Sequence, residues 1–415
     1  MDKITVSMFN VGFGDCFLVS IPVGNEVRRI LFDCGRHKGG KAENQKLADR
    51  VIAAATDADG TARIDLVVGT HRHKDHVSGF ASTGWDKVQV GEVWMPWTEN
   101  PRDPAARGLA ERQVRSAALA KLALAPALAG ASARDRGALA AANAMLALAL
   151  SNEAAMDTLY SGFAGNPVRR YLPDPDEPAE PLGLAGCPGL RLHIMGPSRD
   201  AATLAVMDPP RAETFRRLAL AQSNAETDKL APFPSQLRLD PATLPAAQRK
   251  AFTARLSDKD KATIRGLSQD VDLVGLAAEI DAAINNTSLV IMIEIGSARL
   301  LFCADAQWGN WKSILADAHW CDLIGQTTFL KVGHHASHNA SPVTLIDKLL
   351  PKDIPAMVSV DPTAYSNVPY QGLLDEMEGP RKMGVVRSDL PDQAQAASAD
   401  VQSADADVII MEVPF

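Results

Sequence analysis

One stretch of the chain, residues 64–80 (IDLVVGTHRHKDHVSGF), limits what the rest can fold into. An apolar, β-branched run there ends in three histidines and an aspartate within six positions, although the whole chain has only nine histidines in 415 residues. The run predicts a buried strand. Because open α/β folds place ligand-binding groups where strands end, the stretch predicts an α/β fold with a functional site directly after this strand.

The spacing within this cluster predicts a site for metal ions. Side chains two positions apart share one side of an extended segment, so His71 and His73 can hold one cation. Asp75 and His76 lie past the bend and can face a second cation. We therefore expect two metals at this site.

The H-x-H-x-D-H pattern after such a strand resembles the signature of the metallo-β-lactamase-fold hydrolases. Other segments occur in the order typical of one subgroup, the hydrolase domain of ComEC-type competence DNA-uptake proteins and their stand-alone relatives. These segments are Asn10–Val19, Ile30–Gly35, Asn285–Gly296, Arg299–Asp305 and Leu330–Ser337. The resemblance implies an α/β fold that is a four-layer αββα sandwich.

The same resemblance divides the chain into three parts. Residues 1–100 match the N-terminal half of the sandwich core, and residues 286–415 match its C-terminal half. Residues 101–285 have no counterpart and predict a helix-rich insertion, because alanine, leucine and arginine recur at helical spacing in residues 105–163 and a second helix-rich stretch follows in 199–284. Within the insertion we expect one strand to return to the core near 189–197.

The resemblance also implies a ligand set for two divalent metals, with zinc favoured and manganese as the alternative. The implied ligands are His71, His73, Asp75, His76, Asp305 and His335. Asp305 would bridge the two metals, because a carboxylate has two oxygens. Asp33 and Asn286 are expected to support the ligands from behind, and an ordinary turn explains each of them as an alternative.

Many members of this family have a third histidine on the first metal, between the main motif and the bridging aspartate. His193 is the one histidine in that interval. It lies inside a strand-like segment, LRLHIMG, where a core histidine is as good an explanation as a metal ligand. The sequence leaves both interpretations open.

The implied reaction is hydrolysis by a metal-bound hydroxide, and the candidate catalytic residues are Asp75, His334 and His338. His334 would contact the substrate or support a ligand, with a helix-cap histidine as the alternative, and His338 would donate to a leaving oxygen. A phosphoesterase or nuclease acting on DNA or RNA is the first expectation. A hydrolase of small esters, lactones or phosphodiesters, and a noncatalytic partner-binding protein with a structural metal, remain alternatives.

Charge and composition narrow the partners and the location. A net charge of −8 argues against a surface built throughout to coat nucleic acid. Basic residues between 199 and 265 in the helical insertion could still guide a polyanion or bind a protein partner. We expect no membrane association and a cytoplasmic location, since the N-terminus lacks a secretory pattern and five scattered cysteines suggest no disulfide framework.

Overall fold

The computed structural model describes residues 2–130, 136–137, 139–140, 142–143, 146, 152–176, 181–206, 208–215, 280, 283–365 and 368–415. The chain divides into two compact units. One comprises Met1–Glu111, Ser151–Gln222 and Ala282–Phe415, and the other comprises Arg112–Leu150 and Ser223–Asp281. The basic residues from 216 to 265, which the sequence analysis proposed as a guide for a polyanion or a partner-binding surface, lie outside the described residues. Every strand and every site residue discussed below belongs to the first unit.

The first unit is a mixed α/β structure with two sheets. Eight strands form the first sheet, in the order β14-β15-β1-β2-β3-β4-β5-β6, and seven form the second, in the order β13-β12-β11-β10-β9-β8-β7. The strands are β1 Lys3–Phe9, β2 Phe17–Val23, β3 Glu26–Phe32, β4 Arg63–Val68, β5 Gln89–Pro96, β6 Val168–Leu172, β7 Leu182–Leu184, β8 Cys187–Gly196, β9 Val290–Ile295, β10 Ala298–Phe302, β11 Phe329–Lys331, β12 Pro355–Val358, β13 Gly384–Arg387, β14 Val401–Ala404 and β15 Val408–Pro414.

Each sheet is antiparallel on one side and parallel on the other. In the first sheet β3, β4, β5 and β6 run parallel, with Phe32 opposite Val68 in the β3–β4 pair. In the second sheet β10, β11, β12 and β13 run parallel, with Phe302 opposite Lys331 in the β10–β11 pair. The carboxyl ends of neighbouring parallel strands therefore meet at one edge of each sheet, which is where such folds build their sites.

The two sheets face each other across a shared apolar core. Alternation along β9 sends Ile291 and Ile293 into this core, whereas Met292 points to the opposite side, where helices pack. The rings of Phe32 on the first sheet and Phe302 on the second stack at a centroid distance of 4.1 Å. A further apolar cluster covers the other side of the first sheet. Both sheets are thus buried on two sides, which explains their long apolar runs.

Helices occupy the connections between strands. Helix α1 spans Lys41–Ala54, α2 spans Lys74–Val77 and α3 spans Pro104–Gly130. Further α-helices are Glu153–Asp157, Ala201–Leu204, Trp308–Leu315, Ala318–Ile324, Gln371–Glu378 and Ala394–Ala397. Short 3₁₀ turns are Ser78–Ala81, Trp85–Lys87, Trp97–Glu99, Arg211–Glu213, Gly333–Ala336 and Pro391–Gln393, and π-helical turns are Thr158–Gly162 and Thr344–Leu349. None of the described helices combines the length and the apolar character that a membrane crossing requires.

The range 101–285 contains more sheet than the sequence predicted. We expected one returning strand near 189–197, and β8 lies there, but β6 and β7 also fall in this range. Both are edge strands, β6 of the first sheet and β7 of the second. Edge strands are short and pair on one side only, so their apolar pattern is weak.

Candidate metal centre

The predicted site residues lie at the carboxyl ends of the parallel strands. Asp33 follows β3, and the histidine motif follows β4 and runs into α2, which contains Asp75 and His76. From the second sheet, Asp305 follows β10 and His335 follows β11. Both sheets therefore contribute side chains to one polar cluster.

Four of the six predicted ligands converge on one point. Atoms of Asp75, His76, Asp305 and His335 all lie within 4.8 Å of one another, and all four side chains are buried. His335 Nε2 is 3.6 Å from a carboxylate oxygen of Asp75 and 3.6 Å from one of Asp305, and His76 Nε2 is 3.0 Å from Asp305 Oδ2. Ligands about 2 Å from one cation lie roughly 3–4 Å apart, so this group could hold a metal ion.

Unpartnered atoms in this group support the same conclusion. Apart from contacts within the group, the buried atoms His76 Nε2, His335 Nε2, Asp75 Oδ1 and Asp305 Oδ1 have no hydrogen-bond partner among the described residues. A buried polar atom without a partner costs about 1–3 kcal/mol, and more when it is charged. A cation at the centre of the group would give all four residues a partner.

Partners on the far side of each ring orient the two histidines. Asp33 Oδ2 accepts a hydrogen bond from His76 Nδ1 at 2.7 Å, and Asp33 also accepts from the backbone N–H and the hydroxyl of Thr70 at 2.8 and 2.7 Å. The carbonyl of Ser359 accepts from His335 Nδ1 at 2.8 Å. These bonds fix the orientation of each ring so that Nε2 faces the centre. Asp33 thus lies where the sequence predicted a supporting carboxylate.

The neighbouring carboxylates change the pKa values of His76 and His335. Burial lowers the pKa of His76, but the carboxylates of Asp305 and Asp33 outweigh it and raise that pKa well above its usual value. For His335, burial is likewise outweighed by Asp305 and Asp75, so its pKa is raised. Without a cation, the carboxylates therefore favour the protonated form of each ring. A divalent cation could replace those protons.

His71 and His73 form a separate pair beside this group. His71 Nε2 lies 3.2 Å from His73 Nδ1, a separation that fits two nitrogens on one cation. Thr70 gives its hydroxyl proton to Asp33 and accepts from His71 Nδ1 at 3.2 Å, which leaves the His71 Nε2 lone pair facing His73. Burial first, and then His76 and His73, lower the pKa of His71 well below its usual value. Within the described residues, this pair belongs to neither group of three or more converging ligands.

The structure places His193 away from these histidines. It lies on β8 and its Nε2 is 2.6 Å from Glu294 Oε2 on the neighbouring strand β9. The same carboxylate also contacts Arg191 and Arg299. Of the two interpretations that the sequence left open, the structure supports the core histidine, held by a hydrogen bond to Glu294.

We predict that His193→Phe will leave the metal content of the protein unchanged. The substitution should lower the free energy of unfolding by about 1–2 kcal/mol, because it removes one hydrogen bond to a buried carboxylate. Elemental analysis and denaturant unfolding would measure the two quantities, with His193→Gln as the control that keeps a donor. A loss of metal in both variants would restore His193 as a ligand.

His334 lies next to the converging group, whereas His338 contacts a carboxylate outside it. His334 Nε2 is 3.9 Å from Asp305 Oδ2, and its Nδ1 is 2.8 Å from Ser337 Oγ. With 19% of its side chain exposed, His334 is more accessible than the ligands themselves. His338 is an ion-pair partner of Asp208 at 3.6 Å, and no described ligand carboxylate lies within ion-pair distance of it. The structure therefore brings His334, and not His338, to the edge of the centre.

Asn286 is fully buried and joins several segments around the site. Its Oδ1 accepts from the backbone N–H groups of Gln307 and Asn310, each at 3.1 Å. Its Nδ2 donates to the carbonyls of Leu204 and Val206. These bonds fix the segment that follows Asp305. Asn286 therefore has a supporting position rather than a ligand position.

The backbone is strained where the ligands are presented. Eight non-glycine residues of the described chain have positive φ, and five of them are in or beside the site. These five are Asp33, Ala304, His334, His335 and Ala336. Such conformations cost about 1–3 kcal/mol each and persist where the surrounding structure fixes them. The left-handed run at 334–336 turns the two adjacent histidines toward Asp305.

Two charged residues of the site were not predicted. Asp15 and Lys331 are buried and form an ion pair directly behind the centre. Asp15 follows Gly14, whose φ of 140° and contact with the Asp75 carbonyl require glycine. Two features of the sequence could have indicated this pair. One is the tight glycine turn that ends in Asp15, and the other is the position of Lys331 at the end of an apolar strand. Asp15, Asp33 and His76 also converge. Thr70 and His76 already donate to Asp33, and Lys331 pairs with Asp15, so these two carboxylates support His76 from behind.

Comparisons with protein-family models and with curated proteins found no match to this chain. Its function is therefore inferred from the geometry and charge of the metal centre, together with the motif resemblance.

Proposed function

We propose that this protein is a metal-dependent hydrolase that holds two divalent metals, with zinc favoured and manganese as the alternative. We further propose that its two sheets form the four-layer αββα sandwich of the metallo-β-lactamase fold, in the ComEC-type subgroup, with phosphoester bonds of DNA or RNA as the substrate. The observation that carries the proposal is the convergence of Asp75, His76, Asp305 and His335, whose buried side chains include atoms without a hydrogen-bond partner outside the group. Apolar clusters on both sides of each sheet support the layered fold.

The charge of the buried cluster supports the binding of divalent cations. With metal bound and the histidines neutral, the four carboxylates of Asp15, Asp33, Asp75 and Asp305 and the one ammonium group of Lys331 give the cluster a net charge of three negative units. Uncompensated buried charge is costly. One divalent cation leaves one negative charge, whereas two leave one positive charge. A centre with one positive charge suits an anionic substrate such as a phosphodiester.

Divalent metals, when bound, lower the pKa of water and neutralise charge that develops on a phosphoryl oxygen. The chain's own residues would bind and orient these metals. Asp305 Oδ2 lies close to His76 and His335, and its second oxygen, Oδ1, is buried without a partner among the described residues, so Asp305 has the oxygens that would serve two cations. Burial, opposed by Asp305, keeps the pKa of His334 below its usual value, so its neutral ring can contact an incoming substrate.

The choice of nucleic acid as substrate is supported by the motif resemblance. A cytoplasmic location is supported by the five cysteines, which are all free thiols. A role for the helical insertion in guiding a polyanion or binding a protein partner is part of the proposal, and most of its basic residues lie outside the described residues.

Elemental analysis of the purified full chain, followed by an activity screen, tests the proposal. We expect up to two zinc or manganese ions per chain and metal-dependent cleavage of single-stranded or double-stranded DNA or RNA. Parallel assays with bis(p-nitrophenyl) phosphate, a lactone and a thioester would separate a nuclease from a small-molecule hydrolase. Metal without turnover of any substrate would favour the noncatalytic alternative. A protein that contains no metal and takes up none from added zinc or manganese would exclude the proposed function.

A further inference from the structure

A lysine lies buried directly behind the metal centre. Lys331 is the last residue of β11, and 2% of its side chain is exposed. Its ammonium group contacts the carboxylate of Asp15 and donates to the carbonyl of Ala304 at 3.3 Å. Ala304 immediately precedes Asp305 in the chain. Lysines are almost never fully buried unless they are paired, so the burial of Lys331 depends on its partners at this site.

Asp15 connects this lysine to the histidine ligands. Its Oδ2 lies 3.8 Å from His76 Nδ1 and its Oδ1 lies 3.8 Å from His335 Nδ1. Its Oδ1 has no hydrogen-bond partner among the described residues. The Asp15–Lys331 pair therefore lies behind both histidine ligands, and Lys331 also holds the backbone ahead of Asp305. One ammonium group thus acts close to three of the four converging ligands.

We propose that Lys331 is a positioning residue whose fixed positive charge limits how tightly the centre binds divalent metals. The inference rests on the proposed metal centre and deepens it. Without Lys331, the four buried carboxylates would present four negative charges in place of a net three. The centre would then bind each cation more tightly, and two cations would leave it neutral, with no positive charge to attract an anionic substrate.

If Lys331 acts through its charge, its removal should tighten metal binding. If it acts only through packing, its removal should weaken metal binding. Lys331→Met removes the positive charge but keeps most of the side chain's volume, so metal binding should tighten by about tenfold or more. Asp15→Asn removes a negative charge, so binding should weaken by a similar factor. The Asp15→Asn/Lys331→Met double variant restores the net charge and should bind within about threefold of the parent. If the pair served packing alone, all three variants would bind metal more weakly.

The test is a Zn²⁺ dissociation constant for each full-length variant, measured at pH 8 by competition with a chromogenic chelator. The visible absorption spectrum of the Co²⁺-loaded protein gives a second readout, which reports the ligand geometry. Arg191→Met, an equal charge change at an exposed arginine on β8, is the control and should leave the constant unchanged. If Lys331→Met does not fold, Lys331→Gln replaces it, because its amide still donates but carries no charge.

Tighter binding by Lys331→Met or Lys331→Gln, together with weaker binding by Asp15→Asn, supports the inference. Unchanged or weaker binding by the lysine variants overturns it. A parent protein that binds no Zn²⁺ at all would instead overturn the proposed function, so the two failures are distinguishable.

Discussion

Asp305→Ala should abolish metal-dependent hydrolysis and remove both metals from the purified protein. Asp305 faces two histidine ligands through Oδ2 and has a buried Oδ1 without a partner among the described residues, so it is the residue best placed to serve both cations. Asp33→Ala should lower activity about 10–100-fold, the usual effect of losing a group that orients a ligand. The residual rate and the metal content of the two variants are the quantities to compare.

Two controls make this comparison specific. Asp305→Asn keeps the shape of the side chain but removes its charge, and it should also lose metal. Asp317→Ala removes an aspartate that caps the helix Ala318–Ile324 outside the centre, and it should retain both metal and activity. Equal losses in Asp305→Ala and Asp33→Ala would contradict the roles assigned to these two residues.

Metal titration should show two unequal binding steps, separated by at least about tenfold in affinity. The converging group offers four ligands that are already in place, whereas His71 and His73 offer two and depend on Asp305 for a third. Preformed ligands lose less conformational freedom on binding, so the four-ligand group should fill first.

Single substitutions assign the two steps. His335→Ala should remove the tight step, and His71→Ala should remove only the weak one while leaving the fold intact. Calorimetric titration with Zn²⁺ and elemental analysis after dialysis would measure both effects. Two equivalent steps in the parent, or loss of the tight step in His71→Ala, would be inconsistent with the proposed order.

The sequence predicted the local features of this site well. The strand before His71 could be found because an apolar run followed by polar residues is a local pattern, and the motif resemblance pointed to Asp33, Asp305 and His335, which also follow strands. The converging group consists of four of the six ligands that the motif resemblance implied. Short motifs thus predicted which chain segments would meet.

Features that depend on distant partners could not be found in this way. Asp15 and Lys331 are separated by more than three hundred positions, and nothing near either residue indicates the other. His193 was ambiguous because its partner, Glu294, lies on a strand about a hundred positions away. Strand β6 is short, carries Arg169 and Arg170 and is flanked by prolines, so its sequence has no clear apolar alternation.

The division of the converging ligands between the two sheets determines when, during synthesis of the chain, the group can form. Asp75 and His76 follow a strand of the first sheet, whereas Asp305 and His335 follow strands of the second, more than two hundred residues later. N-terminal segments leave the ribosome first and can begin to fold there. A nascent chain that ends before Asp305 therefore presents only part of the cluster, however well its first sheet has formed. The complete group can assemble only after residue 335 has emerged, so a truncated product would carry the histidine motif without the converging centre.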